Sequence, residues 1–331
     1  IEWGENYGNT PPAEIFTLGP NDDFDAETLV ETLKNAGFKR LIVTAKHHDG
    51  FCIWASEYTK YDVASTNYKN GEGDILAEIS KACSDYDMDM GLYLSPWDIH
   101  DQSYGYFDKD GNALVGSDGQ PLNGMSWEEV EEKDVYDYNE YYRNQLEEIL
   151  GNDKYGNKGE FVEIWMDGAK GSGYKTQNYN FDDWFATIQK YEGKEAGREA
   201  DCLLFGSGAK TTVRWIGNEL GFAPDTNWAQ AKLIYKDGKA TDIDTGWDES
   251  TGYAAGYPDG DVWTVPECDA RITSGWFWGN TKKTPKSMEE LSEMYFRSVG
   301  HNGTLLLNVP PNDEGKLDKA IQGRIVEFGN A

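Results

Sequence analysis

Two hydrophobic periods alternate along this chain, and their alternation leaves few folds open to it. Strand-length apolar runs recur at Leu41–Lys46, Gly91–Ser95, Val162–Asp167, Leu203–Gly206, Val213–Gly217, Val262–Pro266 and Thr304–Val309, several of them rich in Val, Ile and aromatic residues. Between them, Leu29/Leu33/Ala36, Ile75/Leu76/Ile79/Cys83, Tyr138/Tyr142/Leu146/Ile149/Leu150 and Met288/Leu291/Met294/Tyr295/Val299 follow the i, i+3, i+4, i+7 spacing of one helix face. Strand alternating with helix argues for βα units around a parallel sheet, an α/β fold. With one further strand the count fits an eight-stranded (β/α)8 TIM-like barrel better than an open sheet, which shares the same periodicity. The 331 residues read as one barrel domain, 1–331, with inserted loops near 106–126 and 232–260. Lys236-Asp237-Gly238-Lys239 predicts a hairpin turn in the second insertion. Asp108-Lys109-Asp110-Gly111-Asn112 opens like a calcium loop, but Ala113 and Gly119 stand where the turn glycine and the bidentate acid belong, which argues against that ion.

Charge narrows the partners. Thirty Lys and Arg against 59 Asp and Glu give a formal net charge of −29, a field that repels nucleic-acid phosphates and anionic lipid headgroups. No apolar run approaches the roughly 20 residues of a membrane helix, so no membrane insertion is expected. With 12 Trp and 20 Tyr the chain holds more aromatic surface than a core needs, and such rings pack well on the apolar faces of sugars. Cys52, Cys83, Cys202 and Cys268 are too scattered for a zinc knuckle or a disulfide framework and read as buried thiols. Neither Gly-x-Ser-x-Gly nor Gly-x-Gly-x-x-Gly occurs, so serine hydrolase and dinucleotide chemistry lack support.

Chemistry-bearing residues stand where the apolar runs end, the place where parallel-sheet enzymes keep their sites. Leu41-Ile42-Val43 runs into His47, His48 and Asp49, followed by Gly50, Phe51 and Trp54. Val162–Asp167 ends in a carboxylate followed by Gly168, and strand alternation puts Trp165 and Asp167 on one face. A second acid, Glu219, follows Val213–Gly217. Two acids on different strand ends are what glycoside hydrolysis needs, one to attack or activate water and one to protonate the leaving oxygen. Ser95-Pro96-Trp97-Asp98 with His100, Trp263–Glu267, Asn308–Pro311, Trp276 and Trp278 repeat the theme. The chemical competitor is a metal-dependent barrel hydrolase using His47, His48, Asp98, His100 and Asp167. Adjacent strand histidines point to opposite faces, which disfavours a shared ion.

Four segments carry a resemblance. Thr44–Trp54, Leu94–Asp98, Ile164–Gly168 and Arg214–Gly221 resemble, in order, the histidine-pair, Leu-Ser-Pro-Trp-Asp, nucleophile and Arg-Trp-x-Gly-Asn-Glu-x-Gly motifs of glycoside hydrolase family 29, the retaining α-L-fucosidases. The last motif is similar to that of the subgroup acting on α-1,3/1,4-linked fucose of branched, Lewis-type glycans. The resemblance implies a TIM-like barrel, Asp167 as nucleophile, Glu219 as acid/base, and His47, His48, Tyr93, Trp165 and Glu2 as fucose-binding residues. Trp54 and Trp276 are expected in the same pocket. No cofactor and no metal are expected, and the resemblance implies fucosylated oligosaccharides or glycoproteins as partners and an extracellular, periplasmic or cell-surface location. The family's first strand and C-terminal β-sandwich are expected to lie outside this chain. A non-catalytic fucose-binding protein is the alternative of another class.

Overall fold

The computed structural model describes residues 8–15, 17–101, 103–105, 138–168, 177, 179–279 and 284–331. Glu2, the insertion near 106–126 and its calcium-like opening lie outside the described residues. In chain order the main elements are helix α1 (Ala26–Asn35), strand β1 (Arg40–Lys46), helix α2 (Ile75–Asp85), strand β2 (Asp89–Leu94), helix α3 (Tyr138–Leu150), strand β3 (Glu163–Trp165), helix α4 (Phe181–Glu192), strands β4 (Leu203–Phe205), β5 (Val213–Trp215), β6 (Gln230–Lys236), β7 (Lys239–Asp244), β8 (Trp247–Asp248), β9 (Tyr253–Ala254), β10 (Val262–Trp263) and β11 (Val265–Arg271), helix α5 (Met288–Ser298), strand β12 (Thr304–Asn308) and helix α6 (Lys319–Asn330). They fall into two compact units, residues 1–23 with 42–202 and residues 24–41 with 203–331.

In the first unit β1, β2 and β3 are hydrogen-bonded neighbours in that order. Strands β2 and β3 run parallel, with Gly91, Leu92 and Tyr93 opposite Glu163, Ile164 and Trp165. Successive residues Glu163, Ile164 and Trp165 of β3 are all buried, the continuous burial of a parallel sheet covered on both faces, and Met90, Leu92 and Leu94 of β2 are wholly buried beside them. Gly91 is required in this packing, because a Cβ there would come within 2.8 Å of Ile42 Cγ1 and 3.1 Å of the Glu163 carbonyl. Asp74 caps α2 by accepting the Ala77 N–H at 2.9 Å, and the helix buries Ile75, Leu76, Ile79 and Cys83 on its apolar face. Helix α3 turns Tyr138, Tyr142 and Leu146 inward. It packs on α4, where Trp184 lies 4.1 Å from Tyr142, ring centroid to centroid.

In the second unit β11 runs parallel to β5 on one side and to β12 on the other. Ser287 and Glu290 form a reciprocal capping box at the start of α5, satisfying two of the helix's free N–H groups. The strand expected over Val262–Pro266 is two elements. Val262 and Trp263 pair antiparallel with β6, whereas Val265–Arg271 is the long central strand. The chain changes partner between neighbouring amides, since Thr264 N–H bonds to Ala229 and Val265 N–H to Thr212. The β6–β7 hairpin has the expected turn, with Asp237 at φ 51° and Gly238 at φ 78°, the paired positive angles of a type I′ loop.

Parallel strands alternating with helices make this an α/β fold consistent with a TIM-like barrel, its strand bonding not closed into a ring among the described residues. The four cysteines are buried and unbridged. Among the described residues no helix is long and apolar enough to cross a membrane.

Candidate active site

The first cluster begins with a buried cation. Lys46 ends β1 fully buried, its Nζ 3.1 Å from Asp98 Oδ2 and donating to Gln145 Oε1 at 2.8 Å. The rings of Tyr138, Tyr141 and Tyr142 stand 5.3 to 5.8 Å from it. A charge this deep is tolerated only when paired and bonded. Asp98 Oδ1 in turn accepts the N–H groups of His100 and Asp101 at 2.9 Å. The ion pair therefore ties the end of β1 to the loop after β2 and sets the chain direction for His47 and His48. Gly50, at φ +84°, fits because a Cβ would run into the Asp98 carboxylate.

His48 has a defined tautomer. Its Nδ1 lies 2.6 Å from Ser95 Oγ, and Ser95 Oγ donates to the Trp97 carbonyl at 2.7 Å. A hydroxyl has one proton and a carbonyl can only accept, so Nδ1 carries the imidazole proton and donates it to Ser95. Nε2 is left as an acceptor, 3.8 Å from Asp167 Oδ2. Burial holds the His48 pKa below the ordinary value despite the upward pull of Asp167 and Asp98, and burial together with His48 drives His47 down to about 2. Both imidazoles are neutral at pH 7 and meet a ligand as hydrogen-bonding groups rather than as cations. Beside them, burial and the Asp98 charge push the Asp49 carboxyl up to about 6.

The expectation that His47 and His48 face apart is corrected. Their rings lie 4.0 Å apart, tilted by 42°, because β1 stops at Lys46 and strand alternation no longer governs them. His47 stacks on Tyr93 at 5.6 Å, and Tyr93 stacks on Trp165 at 5.4 Å, the pair that the β2/β3 register sets opposite each other. The Tyr93 hydroxyl donates to Asp167 Oδ2 at 3.0 Å. His47, His48, Tyr93, Trp165 and Asp167 are thus brought together, with Trp97 at 4.8 Å from His48.

Trp54 does not join them. It has no exposed surface and its indole N–H is bound to Glu148 Oε2 at 2.8 Å, so it offers a ligand no face. His100 is held by the Gly8 carbonyl at 2.5 Å and stacks on Tyr61 at 3.8 Å. With Asp98 bound to Lys46, the Asp98/His100 pair is a loop brace. Among the described residues no group of three His, Cys, Asp or Glu side chains could hold a metal ion.

In the second unit Glu219 follows β5 and Gly217, whose φ is +102° and whose open side is covered by the Trp247 ring. Glu219 Oε2 accepts Trp276 Nε1 at 3.3 Å and lies 3.6 Å from Arg271 Nη2. Trp215 Nε1 donates to the buried Asp269 at 2.7 Å. Trp278 is turned to Asp318 at 2.8 Å. Arg214 is buried, donating to Asn227 Oδ1 at 2.8 Å and to the Trp228 carbonyl at 2.6 Å, and burial lowers its pKa to about 10. Sequence reasoning gave no role to Lys46, Ser95 or Arg271. Arg271 was detectable only as the last residue of β11, a strand disguised by Glu267 and Asp269.

Acids, neutral imidazoles and indoles beyond the ends of parallel strands are the equipment of the carbohydrate-processing barrel class. The chain belongs to the alpha-L-fucosidase family, whose model matches residues 3–204 and 224–330. Asp167 and the histidine pair lie inside the matched segments, and Glu219 lies between them. The chain is 38% identical over 328 residues to Alpha-L-fucosidase 1 of Arabidopsis thaliana, covering 99% of this chain and 54% of that protein. It is 63% identical to a Ruminococcus gnavus GH29 fucosidase solved in complex with fucose, with a TM-score of 0.85 over all of this chain and 61% of the other. Alpha-L-fucosidase isoenzyme 1 of Paenibacillus thiaminolyticus, 20% identical, shares the fold at a TM-score of 0.59, over 96% of this chain and 64% of the other. The chain thus spans little more than half the length of the Arabidopsis relative.

Proposed function

We propose that this chain carries the catalytic machinery of a retaining exo-α-L-fucosidase acting on α-1,3/1,4-linked fucose of Lewis-type glycans. The observation that carries the reading is Asp167 at the end of β3, with the Tyr93 hydroxyl on Oδ2 and the neutral His48 at 3.8 Å. In this mechanism an Asp167 oxygen attacks the anomeric carbon, the glycosidic bond breaks, and its electron pair leaves on the departing sugar oxygen as Glu219 protonates it. Glu219 then takes a proton from water, which attacks the anomeric carbon and releases Asp167. His48 Nε2 accepts a fucose hydroxyl, and the Tyr93/Trp165 stack suits the methyl group of a 6-deoxy sugar. The Arg-Trp-x-Gly-Asn-Glu-x-Gly segment supports the branched-linkage preference. Such glycans are displayed outside cells, so an extracellular, periplasmic or surface location goes with the reading.

The test is Asp167→Asn on an aryl α-L-fucoside. Turnover falls by about 10³-fold or more, as for loss of a covalent nucleophile, while fucose still binds in a calorimeter. Turnover at the parent rate would overturn the nucleophile; fucose binding without turnover by the parent chain would favour a binding protein.

A further inference from the structure

We infer that Arg271 is a positioning residue which, with Trp276, engages one oxygen of Glu219 and leaves the other, Oε1, to carry the catalytic proton. The inference rests on the proposed acid/base role of Glu219.

Both contacts converge on one atom. Glu219 Oε2 accepts the Trp276 indole N–H at 3.3 Å and faces Arg271 Nη2 at 3.6 Å. Guanidinium and indole are donors only, so a proton on Oε2 would point at groups with no lone pair to receive it. A neutral Glu219 therefore places its proton on Oε1, which has no hydrogen-bond partner among the described residues. Fixing which oxygen is the acid removes one of two equivalent protonation geometries and aims the other.

The two donors are held independently of Glu219. Arg271 is the last residue of β11 and sits opposite Asn308 in the β11/β12 register. Lys286 Nζ grips the carbonyls of Arg271 at 2.6 Å and Thr273 at 3.2 Å, and the Lys286 N–H bonds to the Ile272 carbonyl at 2.8 Å. Asn308 Nδ2 donates to the Trp276 carbonyl at 2.8 Å. The guanidinium lies 5.3 Å from the Trp276 ring centroid, within cation–π range. Arg271 and Glu219 keep 29% and 46% of their side-chain surface exposed. An ion pair so open to water adds little to stability, so the arrangement is explained by what it does to Glu219.

The experiment compares Arg271→Met, Arg271→Lys, Glu219→Ala and the Glu219→Ala/Arg271→Met double variant of the full chain. Each is assayed on a Lewis trisaccharide and on an activated aryl α-L-fucoside. Arg271→Met is expected to lower kcat/KM about tenfold on the trisaccharide, whose poor leaving group needs the acid, and only about twofold on the aryl glycoside. Arg271→Lys restores part of the loss, and Arg271→Met costs nothing further once Glu219 is alanine. Equal losses on both substrates, or a further loss in the double variant, would overturn the positioning role while leaving Glu219 as the acid. A Glu219→Ala chain that cleaves the trisaccharide at the parent rate would instead remove the acid/base reading, and the inference with it.

Discussion

Tyr93 and Trp165 stand opposite each other in the β2/β3 register, their rings 5.4 Å apart and 21° from parallel, and the Tyr93 hydroxyl reaches on to Asp167 at 3.0 Å. The register of two buried strands thereby sets the carboxylate two residues beyond Trp165. Tyr93→Phe keeps the ring stack and removes only the hydroxyl. A hydrogen bond to a charged group is worth about 1.5–3 kcal/mol, so kcat/KM on an aryl fucoside should fall by roughly tenfold or more while the melting temperature moves by only a few degrees. An unchanged kcat/KM would show that the hydroxyl does not hold Asp167 for reaction.

Ser95 decides the tautomer of His48 through its bond to the Trp97 carbonyl. In Ser95→Ala the Nδ1–H loses its acceptor and the Nδ1-protonated form loses its advantage. Nitrogen-15 NMR of the imidazole should show Nδ1 protonated in the parent and a mixture in the variant, with a fall in kcat/KM alongside. A variant that keeps a pure Nδ1–H tautomer would contradict the argument.

Acid should weaken the fold through His47. Its pKa is about 2 in the folded chain against the ordinary 6.5 of an exposed imidazole, so below pH 6.5 the unfolded chain binds a proton that the folded chain does not. Stability contributed by neutral His47 is present above pH 6.5 and is lost as pH falls, by about 2 kcal/mol at pH 5. Asp49 acts oppositely. Its folded pKa is about 6 against 3.8, so its contribution is full below pH 3.8 and is lost as pH rises through 6. His47→Gln should therefore destabilise less on acidification from pH 7 to 5 than the parent, followed by denaturant unfolding at each pH. An identical slope in both proteins would refute the assignment of burial as the cause.

The elements readable in the sequence are those whose hydrophobic period is uninterrupted. Strand β1, helix α2 and strand β2 fall close to the expected ranges because local pattern and tertiary burial agree there. Strand β11 is obscured because Glu267 and Asp269 are buried acids inside it, so its polarity reads as loop. Helix α4 carries legible spacing in Phe181, Trp184, Phe185 and Ile188, whereas α6 buries only Ile321 and Ile325 and offers a faint signal. Trp54 looks like a pocket wall by its closeness to His48 in sequence. Hydrogen bonds from Ile53 N–H to Ala45 and from Leu76 N–H to Ile53 anchor the adjoining chain, and Trp54 lies in the interior. Lys46, Ser95 and Arg271 act through partners 47 to 52 positions away along the chain, a relation that no local pattern records.

The measurement closest to the central claim is proton NMR of the chain with a Lewis trisaccharide, following which anomer of free fucose forms first. Double displacement through Asp167 predicts α-fucose, with the β anomer growing later by mutarotation. β-Fucose as the first product would contradict the retaining mechanism and the role of Asp167 as nucleophile.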